Sequence, residues 1–258
     1  MISKNKIKYL HSLELKKNRD AAGVFVAEGP KVVGDIMARH PGKLRMLVAT
    51  DEWLAGKEPL AANPACEIVR VDSAELAKAS FLCHPQSVMG VFAKLDADAS
   101  PCTAGQDRLV LALDGVQDPG NMGTIVRVAD WFGIEDIVCS RDTVDVYNPK
   151  VVQATMGSIA RVNVAYTDLD AYLSSLPTGT PVYGTLLEGS NMYRTELTPG
   201  GVIVMGNEGK GISPAIRRHV THALRIPNYP ESRETADSLN VAIATAVVCA
   251  EFRRTLHR

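Results

Sequence analysis

Three polar loops, each following an apolar run, carry the residue types that could hold a phosphate and orient a hydroxyl group. The first contains Asn121, with Arg127 six residues further along. The second, residues 206–213, reads GNEGKGIS, and the third begins at Ile226 and closes on Ser238-Leu239-Asn240. Glycine lets a backbone approach a ligand closely, and a guanidinium binds a phosphate through two parallel hydrogen bonds. These residue types favour a site for an anionic ligand.

The first loop has the sequence features of a strand, a tight turn and a helix. The run RLVLAL is typical of a buried strand, DGVQDPGN is rich in turn residues, and apolar residues recur at helical spacing from Met122 until Gly133. We expect Asn121 at the N-cap, where exposed N–H groups form a phosphate site. An ordinary cap followed by a solvated Arg127 would explain this stretch equally well if it stood alone.

The second loop fails the common nucleotide-binding templates. A P-loop ending at Lys210 would need glycine at position 204 and Ser or Thr at 211, where the chain has Val204 and Gly211. The dinucleotide fingerprint G-x-G-x-x-G is also absent. What remains is a glycine-rich backbone that carries the amide of Asn207 and the carboxylate of Glu208.

The elements around these loops alternate between strand and helix, which predicts an α/β protein of two domains. Residues 1–95 form the first domain, the small polar residues 96–107 a linker, and residues 108–258 the second domain. Strands rich in Val, Ile and Leu predict a mainly parallel sheet covered on both faces, with ligands at the carboxyl ends of the strands. A last helix begins near Ser238. An apolar stripe along it, through Val241, Ala244, Val248 and Phe252, is wider than a small domain needs at its edge and predicts a contact between two subunits.

Composition places the chain among soluble cytoplasmic proteins. The formal charge is −1 over 258 residues, the five cysteines have no metal-ligand spacing, and no apolar run reaches the length of a membrane span. We therefore expect no metal site and no membrane contact. One segment is strongly basic and is either a polyanion contact or a solvated helix: Lys4, Lys6, Lys8, Lys16, Lys17 and Arg19.

Taken together and in order, the three loops resemble the SpoU (TrmH) family of SPOUT-class RNA 2′-O-ribose methyltransferases. The matching stretches are NMGTIVRVA, VIVMGNEGKGIS, and IP followed by SLNVA, over about residues 108–255. FVAEGPKVV near the N-terminus is similar to a segment of the family's ribosomal-protein-like RNA-binding domain. One departure is the spacer after Pro227, which is longer and more charged than the family's.

The resemblance implies a fold, a cofactor, a partner and a set of site residues. It implies a deep trefoil knot in the C-terminal sheet, S-adenosylmethionine as cofactor, RNA as substrate and a homodimer with the active site between subunits. The implied catalytic residues are Asn121, Arg127, Glu208, Ser238 and Asn240. The implied cofactor contacts are Thr185, Gly206, Asn207, Gly209, Ile226 and Leu239.

The role of Arg127 stays open between two possibilities. The family suggests that it takes the proton of the 2′-hydroxyl, but a guanidinium is almost always protonated, so binding the neighbouring phosphate is the safer role. Two other functions compete with ribose methylation. An RNA-binding module that had lost catalysis is disfavoured because Arg127 and Glu208 are both present, and a base methyltransferase is disfavoured by the Asn, Arg and Ser-Leu-Asn set.

Overall fold

A computed structural model describes residues 2–55, 66–95, 107–230, 233–234 and 236–254 of the chain. The chain divides into two compact units. Unit 1 comprises Met1–Asp96 and Asp145–Arg161, and unit 2 comprises Ala97–Val144 and Val162–Arg258. Nearly all of the predicted linker, residues 96–106, lies outside the described residues.

Helices and strands alternate along both units, as the sequence pattern predicts. The helices are α1 Lys4–Ser12, α2 Lys16–Ala22, α3 Pro30–Arg39, α4 Asp51–Leu54, α5 Ser73–Ala79, α6 Pro119–Trp131, α7 Pro149–Ala154, α8 Leu169–Ser174, α9 Pro214–Arg217 and α10 Val241–Arg254. The strands are β1 Val24–Glu28, β2 Leu44–Ala49, β3 Glu67–Arg70, β4 Val88–Ala93, β5 Leu109–Asp114, β6 Asp136–Ser140, β7 Asn163–Thr167, β8 Val182–Asn191, β9 Gly201–Gly206 and β10 His222–Arg225.

Unit 1 contains a mixed sheet in the order β1-β4-β2-β3, with β4 antiparallel to both of its neighbours. The basic N-terminal segment, predicted as one helix, forms two helices separated by a break between Ser12 and Lys16. The break allows Leu10 and Leu13 to be buried in the core together with residues of β1 and β4. The lysines consequently remain on the outer surface of unit 1.

Residues 145–161, which include α7, belong to unit 1 although they follow β6 of unit 2 in the chain. Tyr147 packs against Phe25 of β1 with ring centroids 4.8 Å apart. Arg19 is 1% exposed and donates to the carboxylate of Asp145 at 2.6 Å and to the carbonyl of Leu13 at 2.9 Å. The expectation that Arg19 contacts RNA is therefore wrong, because a buried guanidinium with these partners is a structural group.

Unit 2 contains a six-stranded sheet in the order β10-β8-β9-β5-β6-β7, and every neighbouring pair is parallel. One face is covered by α8 and α9, whose Leu169 and Ile216 join a core cluster with Val202 of β9. On the other face Phe252 of α10 packs edge-on against Tyr183 of β8, at 4.8 Å between ring centroids. The predicted α/β class and doubly covered parallel sheet are confirmed, and the knot stays a prediction. Within the described part of the chain, no helix has the length and apolar character needed to cross a membrane.

Candidate active site

The loop after β5 is held by a cap that differs from the predicted one. Asp118 is the N-cap of α6, and its carboxylate accepts from the backbone N–H of Asn121 at 2.8 Å. Pro119 occupies the first helical position, where its missing N–H costs nothing. Asn121 is therefore in the first turn and not at the N-cap, so its side-chain amide is available for other contacts.

Glu208 of the second loop binds the first loop at three points. Its carboxylate accepts from the backbone N–H groups of Gln117 at 3.3 Å and Asp118 at 3.1 Å, and from Nδ2 of Asn121 at 3.1 Å. Partial burial acts to raise the pKa of Glu208, but the hydrogen bonds from Asn121 and from backbone amides outweigh it and hold the pKa below its usual range. Glu208 is thus an ionised acceptor at neutral pH and not a proton donor.

Asn240 joins the third loop to this network. Its Nδ2 donates to Oδ1 of Asn121 at 2.8 Å, while its Oδ1 accepts from the backbone N–H groups of Ala242 at 3.0 Å and Ile243 at 3.3 Å. Asn240, and not Ser238, therefore caps α10, which begins at Val241. The hydrogen-bonded series Glu208–Asn121–Asn240 connects the three loops. In the sequence these loops are related only by the order of their motifs.

Asn207 organises the turn of the second loop through both ends of its amide. Its Nδ2 donates to the carbonyl of Gly115 at 2.6 Å, and its Oδ1 accepts from the N–H groups of Gly209 and Lys210, both at 3.0 Å. Gly206 needs to be glycine, because an added Cβ would lie 2.3 Å from the backbone of Gly211. The Asn207 side chain is thus engaged within the protein, and its backbone N–H and carbonyl also pair with Gly211, at 3.0 and 2.9 Å. The arrangement favours a role for Asn207 in shaping the loop.

The other predicted cofactor residues lie at the same edge of the sheet. Thr185 and Ile226 are half-buried, and the Thr185 hydroxyl donates to the carbonyl of Val204 at 3.4 Å. Leu239 is 54% exposed, which is unusual for a leucine that directly precedes a network residue. An exposed leucine and two half-buried residues are of the kinds that fit the adenine end of S-adenosylmethionine, which needs apolar contact and backbone hydrogen bonds.

Arg127 and Ser238 stand apart from the hydrogen-bonded network. Both side chains are exposed, and neither forms a hydrogen bond or ion pair with any residue that the structure describes. Arg127 belongs to an exposed row on α6 that ends at Trp131, which is 84% exposed. The parallel row on α10 starts at Ile243, which is 53% exposed. We call these two rows, residues 124, 127, 128 and 131 with 243, 247 and 250, the α6–α10 surface.

The apolar stripe predicted for an intersubunit contact is part of the core of unit 2. Val248 and Phe252 are fully buried and Val241 is 8% exposed. The helical spacing of the apolar residues correctly predicted the apolar face of α10. It does not specify which part of the protein covers that face. The face of α10 available to another molecule is the opposite one, which carries Ile243.

Two residues that hold the loops escaped sequence analysis. Asp114, at the end of β5, is 8% exposed and accepts from the N–H of Ser213 at 2.6 Å. Asp118 provides the cap described above, and the Asp-Pro pair is the signal that could have revealed it, because proline favours the position directly after an N-cap. No comparable signal marks Asp114, since its partner lies 99 residues away.

Comparison with known proteins identifies the family to which the chain is similar. The SpoU rRNA Methylase family matches residues 108–250, and the MRM3-like substrate binding domain matches residues 4–90. The 23S rRNA (guanosine(2553)-2′-O)-methyltransferase RlmP of Bacillus subtilis (strain 168) is 29% identical over 96% of both chains. A TrmH-family protein from Porphyromonas gingivalis superposes with a TM-score of 0.85 at 40% identity, covering 99% of both chains. An AdoMet-bound rRNA methyltransferase from Sinorhizobium meliloti superposes with a TM-score of 0.87 at 30% identity, over 99% of this chain and 97% of the other.

Proposed function

The chain belongs to the SpoU rRNA methylase family and is an S-adenosylmethionine-dependent RNA ribose 2′-O-methyltransferase, and we propose that its substrate is a structured ribosomal RNA. The observation that carries the proposal is the Glu208–Asn121–Asn240 network, which ties the three family motifs into one site. Ribosomal RNA is favoured because the B. subtilis relative, whose name specifies 23S rRNA, aligns along nearly the whole chain.

Positioning is the main task of the site in this proposal. When bound, S-adenosylmethionine supplies an electrophilic methyl group. The backbone near Gly206, Ile226 and Leu239 holds the cofactor, with Thr185 and the backbone of residues 207–209 nearby. Holding the ribose oxygen in line with that group is worth roughly 7–11 kcal/mol of the barrier. A rigid loop framework is therefore the chief requirement of the chemistry.

The network gives Asn121 a fixed polarity. Because Glu208 is ionised it can only accept, so Asn121 must present Nδ2 to it and Oδ1 to Asn240. Asn240 in turn presents Oδ1 to the first N–H groups of α10. In our proposal these three residues orient the loops around the ribose, and Ser238 contacts the substrate beside them.

Arg127 is the residue that binds a negatively charged phosphate of the RNA. Its guanidinium is exposed and has no partner within the described part of the chain, so it is free to bind the phosphate next to the target ribose. From there it stabilises the negative charge that develops on the 2′-oxygen as the hydroxyl proton passes to solvent water. A guanidinium that remains charged throughout explains this role without a neutral arginine.

We propose that two copies of the chain associate through the α6–α10 surface. Trp131 and Ile243 are large apolar side chains that remain more than half exposed in the single chain, and such patches mark association sites. Arg127 lies in the same row as Trp131, so association would bring its guanidinium to the partner subunit. This explains why Arg127 contacts none of the network residues of its own chain.

Unit 1 is the substrate-binding part of the protein, and we propose that its basic surface contributes to RNA binding. Lys4, Lys8 and Lys17 are exposed and unpaired among the described residues, while Lys6 pairs with Glu67 and Lys16 with Asp20 at 2.8 Å. In this proposal residues 1–95 select the RNA, residues 96–107 link the two domains, and residues 108–258 catalyse methyl transfer. We expect the protein to act in the cytoplasm.

An alkaline ladder of RNA tests the function directly. The 2′-oxygen is the nucleophile in alkaline cleavage, so a 2′-O-methyl group protects the linkage on its 3′ side. Ribosomal RNA and transfer RNA from cells without the protein are incubated with protein and S-adenosylmethionine, and one band should disappear from the ribosomal ladder. Methyl incorporation with a complete ladder would place the methyl on a base, and protection of transfer RNA alone would overturn the choice of substrate.

A further inference from the structure

Arg225, the last residue of β10, is a half-buried guanidinium with no counter-ion among the residues that the structure describes. Its Nε is buried and has no hydrogen-bond partner. Across the described chain, no residue forms a hydrogen bond or ion pair with any part of the side chain. A partly desolvated charge that lacks a partner is unfavourable, and natural proteins rarely keep one unless a ligand completes it.

Two carboxylates of unit 2 are already engaged by other arginines. Glu188, in the same strand as the register partner of Arg225, accepts from Arg217, and Asp170 accepts from Arg218 at 2.8 Å. A backbone hydrogen bond and the ion pair with Arg217 hold the pKa of Glu188 below its ordinary range, and hydrogen bonds from His219 and Arg218 do the same for the pKa of Asp170. Arg225 therefore differs from Arg217 and Arg218, each of which has a protein acceptor.

Arg225 lies at the same edge of the sheet as the cofactor loops. Ala223 of β10 lies beside Gly184 of β8, which lies beside Val204 of β9. Arg225 and Gly206 are each the last residue of their strand, at the carboxyl edge of the same parallel sheet. Ile226, a proposed cofactor contact, is the next residue.

The alternation of side chains along β10 separates Arg225 from the core. Leu224 is 1% exposed and turned inward, so the adjacent Arg225 leaves the sheet on the other face. The register of the two strands shifts here, because the partner of Ala223 is Gly184 whereas the partner of Leu224 is Ser190. The regular pairing of β10 with β8 is therefore interrupted directly before Arg225.

We propose that Arg225 binds an anionic oxygen group of a substrate of the methyl-transfer reaction, and so completes the ligand site at the edge of β10. The proposal rests on the assigned methyltransferase function and adds a residue to it. The group is the carboxylate of the methionine part of S-adenosylmethionine or a phosphate of the RNA. Both accept two parallel hydrogen bonds from a guanidinium.

Binding measurements on Arg225→Met and Arg225→Lys test the proposal, with Arg217→Met as the matched control. Calorimetry with S-adenosylmethionine and with its decarboxylated analogue forms one arm, and RNA binding over a salt series forms the other. Losing one charged hydrogen-bonding group should weaken the affected ligand roughly tenfold to hundredfold. Arg225→Lys should recover part of the loss, and Arg217→Met should bind both ligands normally.

The two arms identify the source of the anion. If Arg225→Met weakens S-adenosylmethionine but not the decarboxylated analogue, the carboxylate is the ligand. If it weakens RNA binding and reduces the salt slope by roughly 0.7–0.9, the ligand is a phosphate. If neither ligand is weakened while the wild-type protein binds both and methylates RNA, the proposal for Arg225 fails and the function stands.

Thermal unfolding separates this role from a structural one. Removing a charge that has no protein partner should leave the midpoint of the ligand-free protein unchanged or raise it. A structural arginine would lower the midpoint on replacement by methionine. A lowered midpoint in the ligand-free Arg225→Met variant would therefore overturn the proposal even if ligand binding also fell.

Discussion

Nδ2 of Asn240 donates to Oδ1 of Asn121 across 2.8 Å and joins the first turn of α6 to the cap of α10. The two side chains are 119 residues apart in sequence. The direction of this hydrogen bond is fixed from both sides, by the carboxylate of Glu208 and by the free N–H groups of α10. The network therefore has one stable arrangement, which a single change of donor to acceptor should break.

Asn121→Asp should make that change with almost no change in volume. The new carboxylate would face Glu208 where Nδ2 donated at 3.1 Å, and like charges at this range repel. We expect methyl transfer at pH 8 to fall roughly tenfold to hundredfold, as for loss of a hydrogen bond to a charged group.

Acid should partly restore the Asn121→Asp variant. Repulsion raises the pKa of the carboxylate pair, so one proton bound at mildly acidic pH recreates a donor between the two groups. The pH–rate profile of the variant should therefore rise relative to wild type as pH falls. A constant ratio of the two rates at all pH values would contradict the fixed-polarity network.

Glu208→Gln should change the pH dependence of stability. The pKa of Glu208 is lowered in the folded protein, so its ionised form contributes stability that is complete above the unfolded pKa of roughly 4.3 and is lost as pH falls through the folded pKa. Wild type should be more stable than the variant at pH 7, and the difference should shrink below about pH 4. Urea midpoints of both proteins between pH 3 and 7 measure this; a difference that grows in acid would reverse the assigned sign.

Arg127→Ala should separate cofactor binding from catalysis. Arg127 is exposed on α6, whereas the proposed cofactor contacts belong to the second and third loops and β8. We expect calorimetry to give a normal affinity for S-adenosylmethionine and a methyl-transfer rate lowered roughly a hundredfold or more. Arg194→Ala, at an exposed arginine elsewhere in unit 2, is the control, and lost cofactor affinity in Arg127→Ala alone would refute the assignment.

Trp131→Asp and Ile243→Asp should convert a dimer into a monomer. Each places a charge in the α6–α10 surface, where desolvation on association would be costly. Light scattering at micromolar concentration should give twice the chain mass for wild type and a single chain mass for both variants. Tyr193→Asp, at a 51% exposed aromatic outside this surface, should remain dimeric, and a monomeric wild type would rule out the proposed association.

Replacing Lys4, Lys8 and Lys17 by Gln should weaken RNA binding and flatten its salt dependence. Each phosphate contact that is lost should reduce the slope by roughly 0.7–0.9. Lys6→Gln with Lys16→Gln is the matched control, because both lysines already have carboxylate partners and should contribute less. If the two sets have equal effects, or if neither has an effect, these lysines are ordinary solvated surface residues and not specific RNA contacts.

Sequence reasoning succeeded where the determining pattern is local. Alternating apolar runs predicted the parallel sheet. The grouping of Asn121, Glu208 and Asn240, which are up to 119 residues apart, came instead from the resemblance to the family. Sequence reasoning failed where partners are distant. The burial of Arg19 depends on Asp145, 126 residues away. In the same way, the stripe of α10 around Val248 could be recognised as apolar, but its partner could not be named.

The return of residues 145–161 to unit 1 bears on how the protein survives proteolysis. A cut within residues 96–106 would sever the first connection between the units, but the chain passes between them again on either side of 145–161. The N-terminal fragment would still be held by Tyr147 against Phe25 and by Asp145 against Arg19. A nicked molecule should therefore migrate as one particle in native gels and as two fragments only after denaturation.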